Sequence, residues 1–165
     1  MKRLIKILWC TGLIITILFT AACENTTAGS PSFSPLPTHQ NTIETVSVYT
    51  IDTDTMTLVP VKIKKGDEAI TPAYITSLVE DSLDDETIRV YSVVQEDNCV
   101  FLSFYAKGKP LVNCSKKMEN LILDCFANSL LDNLDSCSKI VFRSEDKAYK
   151  SENYSFKKNE VYTSE

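Results

Sequence analysis

The chain has 165 residues, 44% hydrophobic and 24% charged, which is the composition of one globular domain with short additions. Three of its 17 basic residues precede Cys23 and none of its 22 acidic residues does, so the remainder carries a net charge of −8. An acidic domain repels phosphate backbones, and the sequence therefore excludes nucleic acid as a partner.

The first 22 residues have the three parts of a bacterial export signal. A basic head holds Lys2, Arg3 and Lys6, an apolar run spans residues 7–19, and small residues precede Cys23. The run is shorter than the roughly 20 residues that a transmembrane helix needs. This segment resembles the lipobox of bacterial lipoproteins, although Thr20 stands where the family usually has leucine.

The lipobox resemblance implies that Cys23 becomes the first residue and carries a lipid anchor. The chain is then expected on the extracytoplasmic face of the cell membrane, with palmitate-type acyl chains as its membrane contact. Two alternatives stay open: ordinary signal cleavage, which would give a secreted protein, and an uncleaved membrane anchor.

Residues 23–43 are predicted to form a flexible tether. They are rich in serine, threonine and proline and show no apolar period. The single histidine, His39, lies here with no group to tune it, so it is given no catalytic role. The domain organisation is a signal over residues 1–22, a lipidated cysteine and tether over 23–43, and a folded domain over 44–165.

The first half of the domain reads as two strands and a helix. Alternation predicts a strand over residues 44–51 and a second one through Val59, Val61 and Ile63. Pro60 cannot donate to a ladder, which places the second strand at an edge or a bulge. Thr71 as a cap and Pro72 at the first helical position predict a helix that ends at the acidic run 84–86.

The second half reads as a hairpin, a long helix and a strand. One strand is predicted to bury Ile88, Val90 and Val94, and the next to bury Val100, Leu102 and Phe104, around a turn at residues 96–98. A largely apolar helix follows from about Ser115 to Asn133, then a strand through residues 139–142 and a polar tail that reads as a loop with room for one short strand. The order β-β-α-β-β-α-β predicts an α+β fold, with two helices on one face of a small mixed or antiparallel sheet.

No catalytic, metal or cofactor motif is present. Four cysteines remain in the domain, Cys99, Cys114, Cys125 and Cys137, and they allow three pairings. A bridge from Cys114 to Cys137 would have to span a helix about 28 Å long. No pair has zinc-site spacing, residues 80–86 lack the pattern of a calcium loop, and no phosphate-binding glycine motif occurs. We therefore expect a non-enzymatic protein without cofactor, metal or essential disulfide.

Residues 46–162 resemble the GerMN domain of spore-germination and sporulation lipoproteins. The resemblance is carried by "VSVYTID", "LVPVKIK", "ITPAYITSLVEDS", "TIRVYSVVQEDNCVFLSFYA" and "NSLLDNLDSCSKIVFRSEDKAY". The family's glycine-proline turn is "DSLDD" here, and its late glycine turn is replaced by Glu145 and Asp146. The resemblance implies a similarity to ring-building motifs, which share an α-β-β-α-β unit and stack side by side in assemblies. It also implies a lipoprotein of a Gram-positive bacterium.

Three hypotheses of function follow. The first is a lipid-anchored domain that contacts an envelope, sporulation or germination protein through the strand with Pro60 or the strand that ends at Arg143. Self-assembly of the domain stays open in this hypothesis. The second is a lipoprotein that binds a ligand such as a cell-wall fragment in a pocket among Tyr74, Tyr91, Phe101 and Tyr105. The third is an enzyme with two carboxyl groups that face each other in one cleft.

Overall fold

The computed structural model describes Glu44–Ser164. Backbone contacts divide the chain into two units, residues 1–40 and 41–165, and all described elements belong to the second. The predicted signal, the acylation site Cys23 and the tether with His39 lie outside the described residues. Among the described helices, neither is long and apolar enough to cross a membrane.

The described part contains two helices and six strands. In chain order they are β1 (Thr45–Asp52), β2 (Thr57–Lys64), α1 (Pro72–Leu83), β3 (Val90–Glu96), β4 (Cys99–Phe104), α2 (Lys116–Asn133), β5 (Lys139–Ser144) and β6 (Lys147–Ala148). The predicted order and the α+β fold class are confirmed, with β6 as the short strand of the tail.

The strands form two sheets where the sequence predicts one. β1 and β2 make an antiparallel two-stranded sheet, while β3-β4-β5-β6 form a second sheet in which β4 and β5 are parallel. The separation has a local cause, because α2 occupies the free edge of β1. Asn133 Oδ1 accepts the N–H of Ser47 at 3.0 Å, and Ser129 Oγ accepts the N–H of Tyr49 at 2.9 Å.

Helix α1 begins and ends as its sequence predicts. The Thr71 side chain accepts the N–H of Tyr74, and Pro72 occupies the first turn. Asp84 then adopts a left-handed conformation with φ of 48°, which ends the helix. Ile75 and Val79 are fully buried, and Tyr74 and Leu78 pack against the same core, so these four residues form the inner face of the helix.

Helix α2 is covered over most of its circumference, as its composition predicts. Ser115 caps it through the N–H of Met118, and eight of its side chains are buried. Phe126 meets Phe104 of β4 edge to face, with ring centroids 5.3 Å apart. This contact joins α2 to the inward face of the four-stranded sheet.

The polar tail contributes to the core more than its composition suggests. Tyr149 is fully buried and stacks on Phe156, with centroids 5.0 Å apart. The Tyr149 hydroxyl donates to Glu119, a fully buried carboxylate on α2, at 2.6 Å. Burial and this hydrogen bond raise the pKa of the Tyr149 hydroxyl far above its usual value. The tail therefore closes one side of the domain.

The predicted inward stripe of β3 is wrong in its second half. The register between β3 and β4 shifts between Val90 and Ser92, which marks a bulge at Tyr91. Beyond the bulge Val93 pairs with buried Leu102 and packs on the core, while Val94 pairs with Phe101 and is 50% exposed. One extra residue moves every later side chain to the opposite face.

Candidate functional site

Strand β2 presents an unpaired backbone edge within the described part of the chain. Ser47 and Tyr49 on β1 direct their N–H groups to α2, away from β2. Their partners across the ladder are Lys62 and Pro60. In an antiparallel pair these are non-hydrogen-bonded positions, so the backbone groups of Lys62 point to the outer edge. The prediction that the strand with Pro60 is an edge is confirmed, and its register is continuous, without a bulge.

The side chains of β2 divide into an apolar and a basic face. Val59 and Val61 are 37% and 40% exposed, and they lie on the face of the hairpin that carries buried Val46 and Val48. Lys62 and Lys64 are exposed on the opposite face. Residues 57–65 contain three lysines and no acidic residue, in a domain that is acidic as a whole. Of the three, Lys65 pairs with Glu44 at 2.6 Å.

The strand that ends at Arg143 is not an edge, so this predicted docking surface is wrong. β5 lies between β4 and β6, and the N–H of Tyr162 donates to the carbonyl of Ile140. The Arg143 guanidinium lies 4.1 Å from the centroid of the Phe101 ring and donates to the Lys158 carbonyl and the Asn159 side chain. The tail thus covers β5, because its aromatic side chains belong to the core.

The four aromatic residues predicted to line a pocket do not converge. Tyr91 and Tyr105 contact each other edge to face with centroids 5.2 Å apart, and both are nearly half exposed. Phe101 lies under Arg143, and Tyr74 packs from α1 against the core. Among the four, only Tyr91 and Tyr105 are in ring contact, so the aromatic pocket is not formed as predicted.

A cleft of about 460 Å³ opens elsewhere, between the end of β1, the C-terminal end of α1 and the first turns of α2. Its apolar wall comes from both helices, β1 and the α1–β3 connection: Ile51, Leu83, Ile88, Met118 and Ile122. Its polar rim is formed by Thr53, Asp84, Asp85, Glu86, Thr87 and Lys109. This volume lies within the range of small-molecule sites.

An ion pair closes one side of this cleft. Lys109 Nζ lies 2.8 Å from Asp85 Oδ2, and both side chains are about 30% exposed. The hydrogen bond from Lys109, followed by that from the Thr87 hydroxyl, lowers the pKa of Asp85 from 3.8 to about 2. The same pair raises the pKa of Lys109. Both groups are therefore charged at neutral pH.

Gly108 allows the loop with Lys109 to reach this position. A Cβ at Gly108 would lie 2.5 Å from the carbonyl oxygen of Thr87, closer than real contacts allow. The sequence carries no local signal for this cleft, because Asp85 and Lys109 are 24 positions apart and no periodic pattern connects them.

The four described cysteines and residues 80–86 are not arranged as a metal site in the part of the chain that the structure describes. Cys99, Cys114, Cys125 and Cys137 are free thiols. Burial raises the pKa of Cys114 to about 11 and that of Cys125 to about 12. Within residues 80–86, Glu80 accepts the N–H of Val90 and Asp85 binds Lys109. Across residues 44–164 no cluster of three or more histidine, cysteine or acidic residues is placed to hold a metal ion.

Comparison with known protein families and with curated proteins finds no match. Among solved structures the chain is similar to a protein described as "Putative Lipoprotein from Clostridium perfringens", with 14% sequence identity and a TM-score of 0.42. The alignment covers 72% of this chain and 89% of that chain. Membership of the GerMN family therefore stays a prediction from the segments quoted above.

Proposed function

We propose that the chain is a lipid-anchored extracytoplasmic protein of GerMN type that acts by protein–protein contact in an envelope, sporulation or germination assembly. The proposal assigns it no catalytic residue, metal or cofactor, and it makes Cys23 the point of attachment to the membrane. The observation that carries the proposal is the unpaired edge of β2, where an extended segment of a partner can add as a third strand.

The backbone of β2 limits where such a strand can bind. Lys62 and Lys64 both lie at positions whose N–H and carbonyl groups point outward, since their partners Ser47 and Thr45 occupy equivalent places in the ladder. Pro60 lies at the same kind of position but has no N–H to offer. The partner strand is therefore expected to pair chiefly with the half of β2 that follows Pro60.

The side chains of β2 define the chemistry of the partner. An added strand would place alternate side chains beside Val61 on one face and beside Lys62 and Lys64 on the other. The complementary segment alternates apolar and acidic residues. A second copy of β2 fits poorly, because it would bring lysines close to lysines, and lysine on an edge strand disfavours such self-pairing.

A short peptide that alternates valine with glutamate tests this docking mode. We expect the fluorescein-labelled peptide to bind the full chain, with an affinity that falls as salt is raised, and its lysine-for-glutamate counterpart to bind weakly or not at all. Fluorescence anisotropy measures both. Val61→Asp should weaken binding about tenfold or more, which corresponds to about 1.4 kcal/mol.

Two matched controls separate docking from general effects. Val94→Asp changes another exposed valine, on the other sheet, and should leave binding unchanged. The double variant Lys62→Glu with Lys64→Glu should abolish binding. Its charge-matched control is Lys117→Glu with Lys139→Glu, which changes the net charge by the same amount at exposed sites outside β2. Equal losses in the two charge pairs, or no effect of Val61→Asp, would contradict docking on β2.

A further inference from the structure

The cleft between β1, α1 and α2 is a second candidate site, separate from the β2 edge. It combines an apolar wall with a charged rim in a volume of about 460 Å³. Such a combination is typical of sites in which apolar surface supplies affinity and a few polar groups fix orientation.

The balance of charge around the cleft is negative. Asp84, Asp85 and Glu86 line it against a single cation, Lys109, and Lys109 is engaged by Asp85. Neither Asp84 nor Glu86 takes part in a salt bridge within residues 44–164. Two carboxylates of the rim are therefore free of salt bridges within the described residues.

The helix that ends at the cleft adds to this negative potential. The C-terminal end of α1 carries a partial negative charge from its aligned peptide dipoles, and such ends usually have basic residues nearby. No basic residue occurs in the last turn of α1. Leu83 and Asp84 bring this uncompensated helix end directly to the cleft. Charge lining one side of an apolar cleft concentrates ions of opposite sign there.

We propose that this cleft binds a small amphipathic cation, an apolar group bearing one protonated amine. The apolar group would lie against Met118, Leu83 and Ile51, which are partly exposed, and the ammonium group would lie at the rim near Asp84 and Glu86. The Asp85–Lys109 pair stays intact in this arrangement and holds the rim in place.

Methionine methyl resonances report directly on this site. Met118 lines the cleft, whereas Met56 lies in the β1–β2 turn and does not line it. The full chain, with ¹³C-labelled methionine methyl groups and in a non-ionic detergent, is titrated with 2-phenylethylammonium. We expect a saturable shift of the Met118 signal with Met56 as an unshifted reference.

Two probes of similar size, one uncharged and one anionic, test the preference of the cleft for a cation. We expect 2-phenylethanol to bind about tenfold more weakly than the amine, and 3-phenylpropionate to leave the Met118 signal unchanged. An unshifted Met118 signal with the amine would overturn the site, and equal binding of the alcohol would overturn its preference for a cation.

A pair of matched variants locates the ammonium group. Asp84→Asn with Glu86→Gln should reduce the affinity for the amine about fivefold or more without affecting the alcohol. The control is Asp97→Asn with Glu96→Gln, which removes the same charge from the β3–β4 turn, and it should leave both affinities unchanged. Equal effects of the two pairs would overturn a role for Asp84 and Glu86.

Discussion

Asn133 is the residue that most directly joins a helix to a sheet in this domain. Its side-chain amide accepts the N–H of Ser47 at 3.0 Å and donates to the Ser47 carbonyl at 2.7 Å, so it copies the hydrogen bonds of a neighbouring strand. It also reaches the carbonyl of Ser129 one helical turn earlier, at 2.7 Å. An amide is suited to this position because it has both a donor and an acceptor.

Replacing Asn133 tests this role. Asn133→Ala leaves the backbone groups of Ser47 without partners at a partly buried site, and we expect the free energy of unfolding to fall by about 1–3 kcal/mol. Urea denaturation measures it. Asn128→Ala, at a half-buried position of the same helix, is the matched control, with an expected change within about 0.5 kcal/mol. Equal losses would contradict a specific role for Asn133.

Asp85 gives the domain a defined response to acid. Because the pKa of Asp85 is lowered from 3.8 to about 2 in the folded state, its ionised form stabilises the fold. This contribution is complete above the unfolded value of 3.8 and is lost as the pH falls from there to about 2. The lost partner is the ammonium group of Lys109, 2.8 Å away.

Asp85→Asn should therefore lower stability at neutral pH by about 1 kcal/mol, since the pair is partly exposed to solvent. It should also flatten the decline in stability between about pH 4 and pH 2. Urea unfolding at several pH values measures both effects. Exposed Asp81→Asn on α1 should keep the wild-type pH profile, and an unchanged profile in Asp85→Asn would count against the ion pair.

At the scale of elements, strand β3 shows how one extra residue changes which side chains of an alternating pattern face the core. Ile88 and Val90 face inward as their alternation predicts, but the bulge at Tyr91 then turns Val93 inward and Val94 outward. The start of each helix, in contrast, depends on local contacts, because Thr71 and Ser115 accept the N–H of a residue only three positions later.

The two valines after the bulge give opposite expectations. Val93→Asp would place a charge against the core, and we expect a loss of more than about 2 kcal/mol. Val94→Asp lies on the exposed face and should change stability by less than about 0.5 kcal/mol. Thermal and urea unfolding of the two variants compare them directly. The simple alternation of the sequence predicts the reverse order, so the pair decides between the two registers.

At the scale of the whole molecule, Cys23 should determine where the protein resides. In a bacterial host that processes lipoproteins, we expect the wild-type chain in the membrane fraction with acyl chains on its N-terminal peptide, detected by mass spectrometry. Cys23→Ala should lose both, while Cys10→Ala, within the apolar run, should keep both. A Cys23→Ala chain that stayed in the membrane would favour an uncleaved anchor instead.

Self-assembly is a separate question at this scale. The lysines of β2 oppose pairing of two copies through that edge, so we expect the purified protein not to oligomerise through it. Analytical ultracentrifugation over a wide concentration range measures the mass. If larger species form and persist in the Val61→Asp variant, the contacts between copies lie on another face. If the larger species disappear in this variant, β2 pairs with itself and the assignment of an acidic partner to β2 is wrong.

Local sequence was sufficient for the features that depend on near neighbours. It determined the element order, the Thr71 cap of the first helix and the α+β class, and it limited the strand with Pro60 to an edge or a bulge, because caps, proline and hydrophobic periodicity act over a few residues. It also supplied the lipobox-like segment that ends at Cys23.

Only the tertiary structure decided which distant groups meet. Asn133 closes the edge of β1 and splits the strands into two sheets, and the tail covers the strand of Arg143. The cleft likewise depends on Lys109 meeting Asp85 across 24 positions, with Gly108 leaving room for it. These arrangements arise from packing and from the pairing of buried polar groups, and no period in the sequence encodes them.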